Sequence, residues 1–270
     1  MMSQIDHPRN QDQLEELEKE LTGWKDPPAR LMQALERNEL ELFAQPILTL
    51  REPRNTPLAE VLVRMREEEE ALLPPGMFLP VFEYCGMMPE LDRWVARQVV
   101  ARLARGSRVP CLSINISAQT LGDTDFIPEI TAELARAKVS AASLAFEISE
   151  EDMITRPASA KQFAASAREI GFPLILDSFG RSAASFAPLR ALRVNYVKID
   201  GAIVRSLHTS QMARNKLGAI MQVGKVTGIQ LIGECVETEE ALAHLKAEGV
   251  GYAQGFGIGP PRPIDDVAGG

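Results

Sequence analysis

Eight apolar, strand-like runs each carry one polar residue inside or at the end of the run. They are Gln45 in ELFAQPIL, Glu60 in AEVLVRM, Asn115 in CLSINIS, Glu147 in SLAFEIS, Asp177 in FPLILDSF, Lys198 in VNYVKID, Glu234 in IQLIGECV and Gln254 in VGYAQGF. A strand buried on both faces should be almost wholly apolar. A polar group there is costly unless it is paired or bound to an ion. In one strand, a satisfied core residue is the ordinary explanation. The same feature in all eight points to one shared site. Its inventory is four acids, three amides, one amine and no imidazole. Oxygen-rich donors of this kind suit hard divalent ions such as Mg²⁺, Mn²⁺ or Ca²⁺. An ion among carboxylates suits a phosphate ester, which it neutralises while activating a water. Arg64 follows Glu60 by four residues, so both lie on one face of a strand. It could give a forked hydrogen bond to a phosphate; an ion pair with Glu60 is the alternative.

The elements that must hold these residues are repeated β-then-α units. Between the apolar runs lie helical patterns such as MPELDRWVARQVVARLARG, PEITAELARAK, SAKQFAASAREIG, QMARNKLGAIMQVGKVTG and ETEEALAHLKAEG, several ending in glycine as helix C-termini do. Such a series implies parallel strands joined by right-handed crossovers, and eight of them imply a TIM-like (β/α)8 barrel. In barrels of this kind the strand C-terminal ends surround one pocket. The first connection is different. Ten residues, 49–58, separate the first two runs and include two prolines. That is too short for a crossover, so these runs are expected to form a hairpin, making the first strand antiparallel.

The composition bounds the rest. The chain has 270 residues, 45% of them hydrophobic, enough for one large core in a single barrel. A formal net charge of −8 without a basic tract argues against a nucleic-acid polymer as partner. No apolar run approaches membrane-spanning length and no signal peptide is evident; a cytoplasmic location is expected. Cys85, Cys111 and Cys235 lack CxxC spacing and are expected to be reduced thiols. None of His7, His208 and His244 ends a strand-like run, which disfavours histidine–zinc and Ser-His-Asp chemistry. Residues 1–27 form a polar helical segment or linker, with a stop at Asp26-Pro27-Pro28; residues 28–270 form the barrel domain. A signalling helix from an upstream domain is the sharper alternative for the leading segment.

The motifs resemble the EAL domain of cyclic-di-GMP signalling. The likeness is carried by Gln45-Pro46-Ile47, Glu60-Val61-Leu62-Val63-Arg64, Ser113-Ile114-Asn115-Ile116-Ser117 and Phe146-Glu147-Ile148-Ser149-Glu150. It continues through Asp177-Ser178-Phe179-Gly180, Val197-Lys198-Ile199-Asp200, Glu234-Cys235-Val236-Glu237-Thr238 and Gln254-Gly255-Phe256. The resemblance implies Mg²⁺- or Mn²⁺-dependent hydrolysis of cyclic-di-GMP to linear pGpG. It makes Glu60, Asn115, Glu147 and Asp177 ligands of a first metal. It gives Lys198 the water or phosphate, Glu234 the role of general base, and Gln254 a place in the water and metal network. Glu150 would anchor the loop after Asp177, and Gln45 and Arg64 would contact the dinucleotide. A homodimer and an upstream sensory domain or protein partner are further expectations.

Four departures qualify this. Val61 stands where the motif has alanine, and Gly233-Glu234-Cys235 keeps the acid of an Ala-Glu-Gly run. Arg181-Ser182-Ala183-Ala184-Ser185 replaces a Thr-Gly-Tyr-Ser-Ser-like loop. Ser178 stands where the family pattern has a second aspartate, removing a ligand of the second metal. A neutral hydroxyl is a poorer ligand for a hard dication than a carboxylate. The expectation is therefore cyclic-di-GMP binding with weak or absent hydrolysis. The alternatives are an active metal-dependent phosphodiesterase and a nucleotide-independent interaction domain. A barrel glycosidase ranks last, because aromatic platforms are scarce.

Overall fold

The computed structural model describes residues 26–66, 72–182, 189 and 192–269. Most of the leading polar segment, residues 1–25, lies outside them, as do residues 183–185 of the altered loop. The eight apolar runs supply the eight barrel strands: β1 Leu40–Thr49, β2 Leu58–Arg66, β4 Cys111–Asn115, β5 Leu144–Ser149, β6 Leu174–Phe179, β7 Tyr196–Ile199, β8 Gln230–Gly233 and β9 Tyr252–Ala253. Two short strands, β3 Leu72–Leu73 and β10 Arg262–Pro263, add to β2 and β1.

From β2 through β4 to β9 every neighbouring pair is parallel. β1 closes the barrel antiparallel to both β2 and β9. The first strand is the reversed one, as the short first connection requires. In this hairpin Gln45 faces Glu60.

The crossover helices follow the apolar periodicity. They are α3 Met88–Ala104, α4 Phe126–Ala137, α6 Pro157–Ile170, α8 Gln211–Thr227 and α9 Glu239–Glu248, with α5 Glu150–Thr155 and α7 Gly201–Arg205 as short pieces after β5 and β7. Gly171, Gly228 and Gly249 end three of them at positive φ. Two further helices of the first third, α1 Pro27–Glu36 and α2 Pro75–Tyr84, lie outside the helical patterns named above, although α1 buries Leu31, Ala34 and Leu35 on one face. Asp26-Pro27-Pro28, expected from the sequence to end a helix, is seen to start one. Asp26 caps α1 by accepting from Ala29 N at 3.1 Å, and the prolines take the first helical positions, where no N–H is needed. α10 Ile264–Ala268 ends the described chain. Among the described residues no helix is long and apolar enough to cross a membrane.

Most of the core lies between barrel and helices. A second cluster, Ile47, Leu58, Ala145, Ile175 and Ile232 with Cys111, Tyr196 and Tyr252 against it, plugs the barrel interior. Each of these residues except Cys111 stands two positions from one of the eight polar residues. Alternation along a strand therefore places a polar layer directly above a dry floor.

Candidate metal and phosphate site at the strand ends

Seven of the eight strand polars join one network around Lys198 and Glu60, and Gln45 joins it through Gln254. Lys198 Nζ lies 2.6 Å from Glu147 Oε2, 2.7 Å from Glu60 Oε2, 3.7 Å from Glu234 Oε1 and 3.8 Å from Asp177 Oδ1. Asn115 Nδ2 donates to Glu60 Oε1 at 2.9 Å. Gln254 Nε2 donates to Glu60 Oε2 at 2.7 Å and to Gln45 Oε1 at 3.2 Å, while Gln45 Nε2 donates to Gly259 O at 3.1 Å. Gly255 follows Gln254 at φ +155, where a Cβ would sit 2.2 Å from Val236 N. Only glycine lets the chain turn there and return Gln254 to the site.

Four acids facing one ammonium leave the cluster with excess negative charge, and burial makes that charge expensive. Burial pushes the Glu147 carboxyl up to about 8, the charge of Glu60 adding to it and Lys198 opposing. Burial also raises Glu234 well above the usual carboxylate range, against the pull of Lys198 and with the charge and hydrogen bond of Asp177 adding. For Asp177, burial is outweighed by Lys198 and by hydrogen bonds from Glu234 and Ser178, so its carboxyl stays below the usual value. Burial alone would lower Lys198; the surrounding acids outweigh it and hold the amine firmly charged.

Asp177 is aimed into the cluster by a bulge. Between the pairs Leu176–Val197 and Phe179–Ile199, β6 advances three residues and β7 two. Ser178 takes up the extra residue at φ +55. Bulges re-aim side chains in this way next to functional sites. The Ser178 hydroxyl donates to Asp177 Oδ2 at 3.1 Å. Glu150, 3% exposed, accepts from Gly180 N at 3.1 Å and Ser182 N at 2.9 Å.

Arg64 stands apart from the network. Its guanidinium donates to Val63 O at 2.9 Å and lies 5.7 Å from the Phe43 ring centroid. The alternative ion pair with Glu60 does not form; the carboxylate of Glu60 is taken by Lys198, Asn115 and Gln254. One site residue escaped the sequence reading. Ser113, fully buried, donates to Glu147 Oε1 and to Ala59 O. It stands two residues before Asn115, and strand alternation could have found it.

Among the described residues no three His, Cys, Asp or Glu side chains are set around a common point ready for a metal; the Lys198 ammonium takes the middle of the acids. The donor set still fits a hard ion. It is rich in carboxylate and amide oxygens, and the buried Glu147 Oε2, Asp177 Oδ1 and Gln254 Oε1 accept no well-aligned hydrogen bond.

The EAL domain model matches residues 29–261. The cyclic di-GMP phosphodiesterase PdeB of Shewanella oneidensis is 34% identical over 253 residues, covering 92% of this chain and 30% of the relative. The cyclic di-GMP phosphodiesterase PdeF of Escherichia coli is 30% identical over 241 residues, covering 88% of this chain and 32% of the relative. The chain thus spans about a third of the length of these relatives. Among solved structures, the FimX EAL domain of Pseudomonas aeruginosa bound to c-di-GMP superposes with a TM-score of 0.83 at 28% identity, covering 91% of this chain and 100% of that one. With the barrel, its reversed first strand and the polar layer at the strand ends, the match over 29–261 means that this chain belongs to the EAL domain family.

Proposed function

We propose that the chain binds cyclic-di-GMP together with Mg²⁺ or Mn²⁺ at the strand C-terminal ends and hydrolyses it weakly or not at all. The observation that carries this reading is the polar network in which Glu60, Asn115, Glu147 and Asp177 converge with the buried Lys198. These four side chains would hold the first ion. Such an ion, when bound, neutralises a phosphate and lowers the pKa of a water. Lys198 offsets the acids' charge and would hold a phosphate oxygen or water. Glu234, beside Asp177, is the carboxyl that would take the proton from an attacking water once the charge of a bound ion draws its raised value back down. Gln254 would orient that water through its free Oε1. Among the described residues no carboxylate pairs with Arg64, which would take a phosphate oxygen with its fork; Gln45 lines the same wall.

The weakness of hydrolysis rests on Ser178. In-line displacement at a phosphodiester draws on two ions, and Ser178 offers a neutral hydroxyl already turned onto Asp177. The proposed partners beyond the dinucleotide are a second copy of the chain and a sensory domain or protein; the matched relatives are about three times as long. Calorimetric titration with cyclic-di-GMP, with and without Mn²⁺, tests the reading: binding is expected, and its absence in both conditions removes the proposal. The second reading, an active phosphodiesterase, is favoured by the retained Glu60, Asn115, Glu147, Asp177, Lys198, Glu234 and Gln254. Detection of pGpG after long incubation with excess Mn²⁺ would establish it.

A further inference from the structure

We infer that Asp92, a helix residue outside the strand-end cluster, is a positioning residue that sets Asn115 for metal binding. The inference rests on the metal reading above. Asp92 lies on α3 and is 5% exposed. Its Oδ2 accepts from Ser117 N at 2.9 Å and from Thr120 Oγ1 at 2.7 Å. The Ser117 hydroxyl donates in turn to Thr120 Oγ1 at 3.0 Å and accepts from Thr120 N at 3.2 Å. The buried carboxylate thus ends a chain of hydrogen bonds that strengthen one another, and the whole chain grips the turn that leaves β4.

That turn starts two residues beyond Asn115. Three consecutive residues are pinned in different directions. The Asn115 amide is tied to Glu60 at 2.9 Å, Ile116 N to Glu147 O of β5 at 2.9 Å, and Ser117 N to Asp92 of the outer helix layer. Two of the three ties go to proposed ligand residues; the third fixes the angle at which the strand leaves the barrel. Asp92 itself touches none of the proposed ligands, so its effect on an ion passes through the backbone. Groups that orient ligands in this indirect way commonly change metal affinity by about 10- to 100-fold when removed.

The test is Mn²⁺ titration of the whole chain, with free Mn²⁺ followed by electron paramagnetic resonance. Asp92→Ala is expected to weaken Mn²⁺ binding about 10-fold. Both bonds go to one carboxylate oxygen, so Asp92→Asn keeps an acceptor and is expected to restore affinity to within about twofold. Ile130→Ala, a core truncation on α4, controls for lost stability and is expected to leave Mn²⁺ affinity unchanged. Hydrogen exchange at the Ser117 amide should quicken in Asp92→Ala and stay slow in Ile130→Ala. Should Asp92→Ala fail to fold, Thr120→Val carries the test by removing the hydroxyl relay alone, with about threefold weaker binding expected. Wild-type affinity in the folded Asp92→Ala or in Thr120→Val overturns the inference, as does an equal loss in Ile130→Ala. A wild-type chain that binds no Mn²⁺ removes the metal reading and the inference with it.

Discussion

Two buried polar knots lie on opposite sides of β4, and they are satisfied in different ways. The Asp92 knot has one carboxylate met by neutral donors, Ser117 N and Thr120 Oγ1. The Lys198 knot has four carboxylates for one ammonium and leaves Glu147 Oε2 and Asp177 Oδ1 without well-aligned donors. The first resembles the buried polar group of any well-formed core. The second would be a fault in a core whose role was stability, since surplus buried charge costs more than it returns. The contrast separates a polar cluster that holds the fold from one held ready for a cation.

The largest test of this contrast is Lys198→Met. It removes the one ammonium at the centre of the acids and leaves their repulsion unopposed. Loss of one partner of a buried ion pair typically costs about 3–5 kcal/mol, and urea denaturation without divalent ions at about pH 9, above the raised value of Glu147, should show a loss of this size. Added Mn²⁺ should restore part of it in the variant and little in the wild type. A loss below about 1 kcal/mol would mean that the acids are already neutralised by protons, and the contrast between the knots would collapse.

A smaller effect sharpens the other side. Burial raises the Asp92 carboxyl to about 6, although its hydrogen bonds with Thr120 and Ser117 pull it down. A group whose folded pKa lies above its unfolded value of about 3.9 stabilises fully at low pH and loses that contribution as pH rises through the folded value. The stability of wild type relative to Asp92→Asn should therefore fall by up to about 3 kcal/mol between pH 4 and pH 7. Other groups titrate in both proteins and cancel in the difference. A flat difference over this window would show that the neutral donors fully offset burial, making Asp92 the better satisfied of the two knots by a wider margin.

How much of this was legible beforehand depends on range along the chain. The polar layer could be read because each of its members interrupts an apolar run, a local signal repeated eight times. The reversed first strand could be read from the ten residues between β1 and β2, which a crossover helix cannot fit. The Asp92 knot could not. Asp92 sits in the amphipathic pattern of α3 like any helix acid, and its partners lie 25 and 28 residues away. Ser113 passed as an ordinary strand residue, although its spacing from Asn115 placed it on the inner face. The ion pair weighed for Arg64 and Glu60 failed for a similar reason: cross-strand groups far along the chain had already taken Glu60.

The smallest expected effect lies at Ser178. Its φ of +55 is tolerated by aspartate better than by most residues, because a short polar side chain can bond locally there. Ser178→Asp should therefore keep the bulge. Without divalent ions the new carboxylate would stand beside Asp177, now bonded to the serine hydroxyl at 3.1 Å, and like charges should cost about 1 kcal/mol or less. With Mn²⁺ the sign should reverse, because the added anion supplies what a second ion lacks. Stability should then exceed that of the wild type under the same conditions. The same variant settles the number of ions. We expect the wild type to hold at most one tightly at millimolar Mg²⁺, and Ser178→Asp to hold two, about 4 Å apart, with faster release of pGpG. Two ordered ions in the unmodified chain would mean that Ser178 or water replaces the carboxylate, and the active phosphodiesterase would become the better reading.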